Sequence, residues 1–173
     1  MSIADLLTPS QTVGPYLHIA MGRDGEDRAV PDGDPDAIAL SGIVSDGAGD
    51  PVSDAVVEVW HVDADPAGRP HRGCWARCAT DADGRYVIHT RLPDPRGDGE
   101  APHLTLSIFA RGLLDRVVTR VYLPWEERAN ATDPVFSLVD EDRRATLVAT
   151  GERPDLSFDI RLQGPDETVF FEV

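Results

Sequence analysis

A histidine and an arginine stand near the two ends of a short segment that is otherwise typical of a β-strand. Residues 101–112 read Ala-Pro-His-Leu-Thr-Leu-Ser-Ile-Phe-Ala-Arg-Gly. Successive strand side chains point to opposite faces. One face then carries Leu104, Leu106, Ile108 and Ala110, and the other carries His103, Thr105, Ser107, Phe109 and Arg111. Imidazole binds metal ions and transfers protons, and guanidinium binds carboxylates. The segment therefore predicts either a functional face or the wet outer face of an antiparallel sheet.

Other residues with reactive side chains fit known kinds of site less well. Two histidines and two cysteines lie near one another in the sequence, namely His61, His71, Cys74 and Cys78. Their spacing matches none of the usual zinc-finger patterns. Residues 81–84, Asp-Ala-Asp-Gly, resemble part of a calcium loop but lack its terminal glutamate and flanking helices, so a tight turn is the better interpretation. Ser107 and His103 have no Gly-x-Ser-x-Gly motif, so the sequence does not support a hydrolase.

The composition restricts the ligands and the compartment. The chain has 173 residues and a formal net charge of −15, with 41% hydrophobic and 27% charged residues. This charge argues against nucleic acid and anionic membranes as partners, because both are polyanions. An anionic ligand needs a local basic group, for which Arg111 is the candidate. The sequence shows no signal-peptide pattern and no run of 18 apolar residues, so we expect a cytoplasmic protein in which Cys74 and Cys78 are thiols.

The first part of the chain predicts an arm and an acidic loop. Proline and glycine interrupt both helix and strand over residues 8–19, yet this stretch carries enough apolar side chains to lie against another surface. Residues 22–36 hold six acidic residues among Gly and Pro. The length is that of one domain. We therefore expect a single domain over residues 1–173, with residues 1–36 as its N-terminal arm and acidic loop.

From residue 37 onward the pattern predicts an all-β fold. Alternating or β-branched apolar residues form about nine short runs. These runs are residues 38–44, 56–62, 77–80, 86–92, 104–110, 117–123, 146–149, 157–162 and 168–173. The turn at residues 81–84 predicts a hairpin between its two neighbouring runs, and residues 126–130 and 134–140 predict single helical turns. The expected fold is an antiparallel β-sandwich of about nine short strands with long loops.

Several motifs, in order along the chain, resemble one known family. They are residues 8–16 (Thr-Pro-Ser-Gln-Thr-Val-Gly-Pro-Tyr), 58–65, 80–86, 101–103, 108–112, 158–164 and 167–171. Over about residue 6 to the end, the chain is similar to the intradiol ring-cleaving dioxygenases, and among them to the α chain of α/β heteromeric members. The resemblance implies a β-ketoadipate-pathway enzyme of aromatic degradation. In such an enzyme a ferric ion and O₂ open 3,4-dihydroxybenzoate to 3-carboxy-cis,cis-muconate.

The departures from the family's iron-binding chain define the expected role. In that family the β chain binds Fe(III) through two tyrosines and two histidines, and the histidine positions correspond here to His103 and Thr105. A neutral threonine hydroxyl is a poor substitute for imidazole. The three tyrosines of this chain, Tyr16, Tyr86 and Tyr122, do not fall where the ligand tyrosines would match. The resemblance therefore implies no metal and no catalytic residue in this chain, and Fe(III) in a partner β subunit.

The resemblance also implies that this chain forms part of a substrate pocket. The family's α chain contributes its arm and the arginine after a Phe-Ala pair. The corresponding residues here are Thr12, Gly14, Pro15, Tyr16 and Arg111. A flat Gly-Pro surface and an aromatic edge suit a ring, and a guanidinium suits the carboxylate of an aromatic dihydroxy acid. The alternatives are an ion pair with an acidic neighbour for Arg111 and an interface anchor for Tyr16.

Two other functions stay open at this point. One is a free-standing β-sandwich binding module with no catalytic role, which would be a stable monomer. The other is a single-chain intradiol enzyme that has diverged, against which the missing tyrosines count. Association with a β-type chain distinguishes the heteromeric enzyme from the free-standing module.

Overall fold

The computed structural model describes residues 11, 12, 14, 17–64, 70–95 and 99–172. The elements, in chain order, are α1 (Leu17–Met21), β1 (Ala37–Ser45), β2 (Val56–Ala64), β3 (Pro70–Ala79), β4 (Arg85–Arg91), β5 (His103–Phe109), β6 (Val117–Tyr122), α2 (Glu127–Thr132), two 3₁₀ segments (Phe136–Leu138 and Glu141–Leu147), β7 (Thr150–Glu152), β8 (Asp155–Ser157) and β9 (Ile160–Arg161). None of the helices in these ranges has the length and apolar character that a membrane span requires.

The strands form two sheets, which confirms the predicted all-β sandwich. One sheet has the order β3-β2-β5-β6 and is antiparallel throughout. The other has the order β4-β1-β8-β7, with β9 also pairing with β1. Here β1 is antiparallel to β4 but parallel to β8 and β9. A single core cluster takes buried side chains from both sheets, as with Leu40 and Ile88 on one side and Val57 and Leu106 on the other.

The inward face of β5 matches its predicted pattern. Leu104, Leu106 and Ile108 are completely buried in the core. The opposite face of β5 is only partly buried at Thr105 and Ser107. With this alternation the polar side chains of one face stay hydrated, and the apolar side chains of the other face are removed from water.

The backbone of β1 closely approaches the segment between β8 and β9. At Gly42 in β1, an added Cβ would lie 1.9 Å from the carbonyl oxygen of Phe158. The same carbonyl accepts a 2.6 Å hydrogen bond from the hydroxyl of buried Tyr86. Burial raises the pKa of Tyr86, so its hydroxyl stays a donor. Position 42 therefore has room only for glycine. The alternating pattern of the sequence did not predict this requirement.

The predicted hairpin around residues 81–84 is wrong in its pairing. The tight turn itself exists, because Asp81 accepts the backbone N–H groups of Asp83 and Arg85, and Gly84 has φ of 71°. However, β4 pairs with β1 and β3 pairs with β2, so this turn carries the chain from one sheet to the other. Turn residues specify where the chain reverses, but not which strand it then joins.

Several predicted strands in the second half are shorter than expected or of another kind. The run at residues 146–149 lies half in the 3₁₀ segment Glu141–Leu147 and supplies one bridge, Tyr122 to Val148. The run at 157–162 is divided between β8 and β9, and the run at 168–173 supplies one bridge, Val118 to Phe171. The two predicted helical turns are present as α2 and as Phe136–Leu138. Apolar runs of four to six residues do not distinguish strand from a short helical segment that also buries its apolar side.

Candidate functional site

The outer face of the antiparallel sheet carries the polar residues that the sequence singled out. We use this name for the face formed by Glu58, Trp60, Trp75, Arg77, His103, Thr105, Ser107, Arg120 and Tyr122, which the strand register places on one side. Trp60 and Trp75 are cross-strand partners with exposures of 44% and 40%. Next to them, the Arg77 guanidinium lies 4.8 Å from the ring centre of Trp75 and donates to Glu58. The two tryptophans are therefore exposed to solvent, whereas the side chains of Arg77 and Glu58 are only 15% and 19% exposed.

At its other end, the outer face is covered by the 3₁₀ segments. Phe136 packs edge-on against Tyr122 with a ring separation of 4.8 Å, and Leu147 completes a second apolar cluster there. Asp133 is fully buried and accepts a hydrogen bond from the Tyr122 hydroxyl. The polar face of β5 is therefore covered at His103 by the 3₁₀ segments, whereas the neighbouring tryptophans are exposed to solvent.

His103 is enclosed beneath this cover. Its side chain is 1% exposed, and its ring centre lies 5.6 Å from that of Tyr122. Nδ1 lies 2.8 Å from the carbonyl oxygen of Ala101. Because a carbonyl can only accept, Nδ1 carries the proton, and in the neutral imidazole Nε2 is then the basic nitrogen. Nε2 faces the carboxylate of Glu100, with 3.8 Å between it and Oε2.

The carboxylate of Glu100 is held by a guanidinium. Arg120 Nη1 lies 3.2 Å from Oε2, and Nη2 donates to Oε1 at 3.3 Å. The two side chains are only 19% and 16% exposed. In the register of β5 and β6, Arg120 is directly opposite Thr105, so its side chain extends along the outer face toward His103. Glu100, Arg120 and His103 thus form one mostly buried polar cluster, of which the sequence predicted only His103.

Arg111 does not share the outer face with His103, which corrects the sequence-based placement. Strand β5 ends at Phe109, and a turn follows in which the Leu113 N–H donates to the Ala110 carbonyl. The six residue steps of β5 alone span about 20 Å, so the two side chains belong to different regions. Arg111 is 61% exposed and forms an ion pair through Nε with Asp54. This ion pair is the alternative that the sequence had left open for Arg111.

The N-terminal arm reaches the same turn. The hydroxyl of Thr12 accepts a 2.9 Å hydrogen bond from the N–H of Gly112, the residue after Arg111. Gly14 has φ of 74°, and nothing lies within 4 Å of the position that a Cβ would take there. Pro15 and Tyr16 lie outside the described residues. The structure therefore places Thr12 at the turn that carries Arg111.

Two open clefts lie near these regions. One, of about 780 Å³, is lined by Phe109, Leu114, Asp115, Arg116, Val117, Phe170, Phe171 and Glu172. It begins two residues before Arg111, and the sequence did not predict a cleft here, although the adjacent Phe170 and Phe171 were a signal. The other, of about 950 Å³, is lined by five prolines and by charged residues of both signs, among them Arg91 and Arg153. Arg91 is paired with Asp34, whose pKa this guanidinium lowers.

The described residues offer little for a metal ion. Within the ranges that the structure describes, no group of three His, Cys, Asp or Glu side chains comes together as a metal site would require. Cys74 is buried on β3, and burial raises the pKa of the Cys78 thiol on the same strand. A raised thiol pKa disfavours the thiolate that binds metals and attacks electrophiles.

Comparison with known proteins identifies the class. The family model described as Dioxygenase matches residues 13–164. The dioxygenase domain of a dioxygenase carbohydrate-binding protein fusion from Streptomyces sp. SirexAA-E has a TM-score of 0.63 at 25% identity, covering 91% of this chain and 98% of that one. Catechol 1,2-dioxygenase from Pseudomonas arvilla C-1 has a TM-score of 0.51 at 25% identity, covering 82% and 58%. The chain belongs to the intradiol ring-cleaving dioxygenase family, which uses iron.

Three curated relatives are chains of protocatechuate 3,4-dioxygenase. This chain is 41% identical to the protocatechuate 3,4-dioxygenase alpha chain of Burkholderia cepacia, over 96% of this chain and 97% of that one. It is 38% identical to the alpha chain of the same enzyme from Pseudomonas putida, over 95% and 96%. The beta chain from Burkholderia cepacia is 31% identical, over 92% and 77%. Homologous alpha and beta chains indicate a hetero-oligomeric dioxygenase.

Proposed function

We propose that this chain is the α chain of a protocatechuate 3,4-dioxygenase, which cleaves 3,4-dihydroxybenzoate with O₂ to 3-carboxy-cis,cis-muconate. The observation that carries the proposal is the similarity to two such α chains over nearly the whole length of each. A cytoplasmic location is part of the proposal, and the thiol form of Cys74 and Cys78 supports it. The enzyme's turnover then depends on a complex with a β subunit.

Within this proposal the ferric ion is held by the β subunit and not by this chain. A ferric ion is a hard cation that needs several anionic or imidazole donors. Beside His103 this chain offers a threonine hydroxyl at position 105 and the carboxylate of Glu100, whose two oxygens Arg120 already holds. These residues do not fit a ferric ion, because a cationic side chain stands among the donors. The iron-dependent chemistry of ring cleavage is therefore assigned to the partner.

The contribution of this chain is a wall of the substrate pocket. The residues proposed for it are Thr12, Gly14, Pro15, Tyr16 and Arg111. The Thr12 contact with Gly112 supports this wall, because it connects the arm to the residue that follows Arg111. The aromatic cleft that starts at Phe109 provides apolar surface nearby for a ring. On a chain with a net charge of −15, the Arg111 guanidinium supplies the local positive charge that a benzoate needs.

Asp54 sets how strongly Arg111 can act. Its carboxylate, only 12% exposed, pairs with one edge of the guanidinium and cancels part of its field. A guanidinium has five N–H donors, so the pair leaves the outward N–H groups available to a second carboxylate. We expect Asp54 to orient Arg111 toward the pocket at some cost in attraction for the substrate.

Reconstitution tests the proposed function. The chain is purified alone and together with a β-type dioxygenase chain, and ring cleavage of 3,4-dihydroxybenzoate is followed by O₂ consumption and product analysis. The expected result is that only the complex turns over the substrate. Cleavage by the chain alone, or failure to associate with any β-type chain, contradicts the proposal.

A free-standing binding module is the alternative function, and one observation favours it. The Trp60 and Trp75 indoles form an exposed aromatic pair of the kind that anchors binding partners. The same reconstitution separates the two functions, because a binding module remains a stable monomer in the presence of the β chain.

A further inference from the structure

The cluster of Glu100, His103 and Arg120 stands where the resemblance places the metal-binding histidines of this family. Position 103 keeps its histidine, and position 105 has a threonine instead. Directly opposite Thr105, on the same face of the sheet, the neighbouring strand carries Arg120. Thr105, which stands at the position of a ligand histidine, and Arg120 are therefore cross-strand partners.

Two of the side chains in this cluster are arranged as a donor pair. His103 donates its Nδ1 proton to the Ala101 carbonyl, which turns the basic Nε2 toward Glu100. The 3.8 Å between Nε2 and Oε2 allows one ion to lie about 2.1 Å from both atoms, which is a usual distance from a metal ion to nitrogen or oxygen. A donor hydrogen bond from the other ring nitrogen is also the usual support of a metal-binding histidine.

A positively charged side chain already pairs with the carboxylate that a metal ion between Glu100 and His103 would bind. A carboxylate as shielded as that of Glu100 needs a cation beside it, whether a metal ion or a side chain. Arg120 provides that cation through both of its terminal nitrogens. A guanidinium keeps its proton at every pH that the fold tolerates, so its presence does not depend on pH or on metal supply.

We propose that the Arg120 guanidinium is a built-in cation that takes the place of a metal ion beside His103 and keeps the Glu100–His103 donor pair from binding one. Glu100 and His103 should then be able to bind a metal ion once Arg120 is removed. Removing Arg120 and adding one imidazole at position 105 then yields two histidines and one carboxylate on one face, a ligand set that holds divalent transition metals.

Cobalt binding by variants of the full chain tests this inference, with Co²⁺ alone as the probe. Thr105→His with Arg120→Gln supplies the ligands and removes the cation. Thr105→His alone, and Thr105→His with Arg120→Lys, supply the same ligand and retain a cation at position 120. We expect the Gln double variant to bind one Co²⁺ per chain, with visible absorption bands, roughly 10- to 100-fold more tightly than either control. Equal affinity in Thr105→His alone overturns the proposal.

Thermal unfolding with and without Co²⁺ keeps the test decisive if the double variant is unstable. Loss of Arg120 removes a cation that pairs with Glu100, so we expect a lowered midpoint that Co²⁺ raises again, in the Gln double variant only. If Co²⁺ neither raises the midpoint of a folded variant nor induces folding of an unfolded one, the proposal is wrong. The inference rests on the family's metal position and not on the substrate role of this chain, so its failure leaves the reconstitution result unaffected.

Discussion

Replacing Asp133 by asparagine tests whether a buried carboxylate holds the cover of the outer face in place. Asp133 is fully buried and accepts four hydrogen bonds. Its donors are the N–H groups of Ala101, Val135 and Phe136 and the hydroxyl of Tyr122. The carboxylate thus connects the segment before β5, the end of β6 and the first 3₁₀ segment, which together enclose His103.

The expected loss of stability follows from the way the four hydrogen bonds are divided between the two carboxylate oxygens of Asp133. Oδ1 accepts three of the hydrogen bonds, and Oδ2 accepts only the one from Ala101, at 2.8 Å. In Asp133→Asn the amide oxygen can serve the three donors, but the NH₂ group then faces the Ala101 N–H, which is buried and loses its acceptor. A lost charged hydrogen bond together with an unsatisfied donor costs about 2–4 kcal/mol. In a chain of this size about 3 kcal/mol lowers the unfolding midpoint by roughly 6–12 °C.

The effect has a defined pH dependence. Burial alone would raise the pKa of Asp133, but the N–H groups of Phe136 and Ala101 and the Tyr122 hydroxyl outweigh it, so the pKa is lowered. A carboxyl whose folded pKa is below its unfolded value stabilises the fold above the unfolded pKa, about 4, and loses this contribution as the pH falls through the folded value. The advantage of the wild type over Asp133→Asn is therefore constant from about pH 5 to 8 and narrows below about pH 4.

Thermal unfolding followed by circular dichroism measures both effects. Asp140→Asn is the matched control, because Asp140 is exposed and makes no side-chain hydrogen bond at the start of the second 3₁₀ segment. We expect that control to stay within about 0.5 kcal/mol of the wild type. If the two asparagine variants unfold at the same temperature at pH 7, the role assigned to Asp133 is wrong.

Two further substitutions address the core and the substrate wall. Gly42→Ala places a Cβ against a backbone carbonyl that cannot move aside, so we expect a loss of about 3 kcal/mol in thermal unfolding, against little change or a slight gain for Gly73→Ala, where the nearest atom would be 3.6 Å away. A similar midpoint for both alanine variants would refute the steric argument. Arg111→Ala in the reconstituted enzyme should lower kcat/KM by about 10-fold, mainly through KM, without changing the iron content. Arg128→Ala, an exposed arginine on α2, is its control, and equal kinetics for the two variants would assign Arg111 to its ion pair with Asp54 alone.

The fold could be predicted where a local pattern decides it. The alternation of Leu104, Leu106 and Ile108 identified both the strand and its core face, because period-two burial is a property of a single strand. The partner of β4 could not be predicted in the same way. The turn at residues 81–84 is compatible with a hairpin and with a passage between sheets, and only the packing of distant β1 distinguishes them.

The cluster of Glu100, His103 and Arg120 could likewise be predicted only in part from the sequence. His103 was visible in the sequence, but its neighbours depend on tertiary structure. Glu100 precedes the strand, and Arg120 reaches it only through the register of β5 against β6. Nothing in the local sequence marks either residue as part of a site. Similarly, alternation placed Arg111 on the face of His103, whereas the strand ends two residues earlier and a turn redirects the chain.

The location of iron tests the central claim most directly. The chain is expressed in iron-supplemented medium alone and together with a β-type chain, and iron is counted per chain after removal of loosely bound metal. We expect tightly bound iron in the complex and none in the isolated chain, because the Arg120 guanidinium stands among the donors at His103. One tightly bound iron per isolated chain would contradict it.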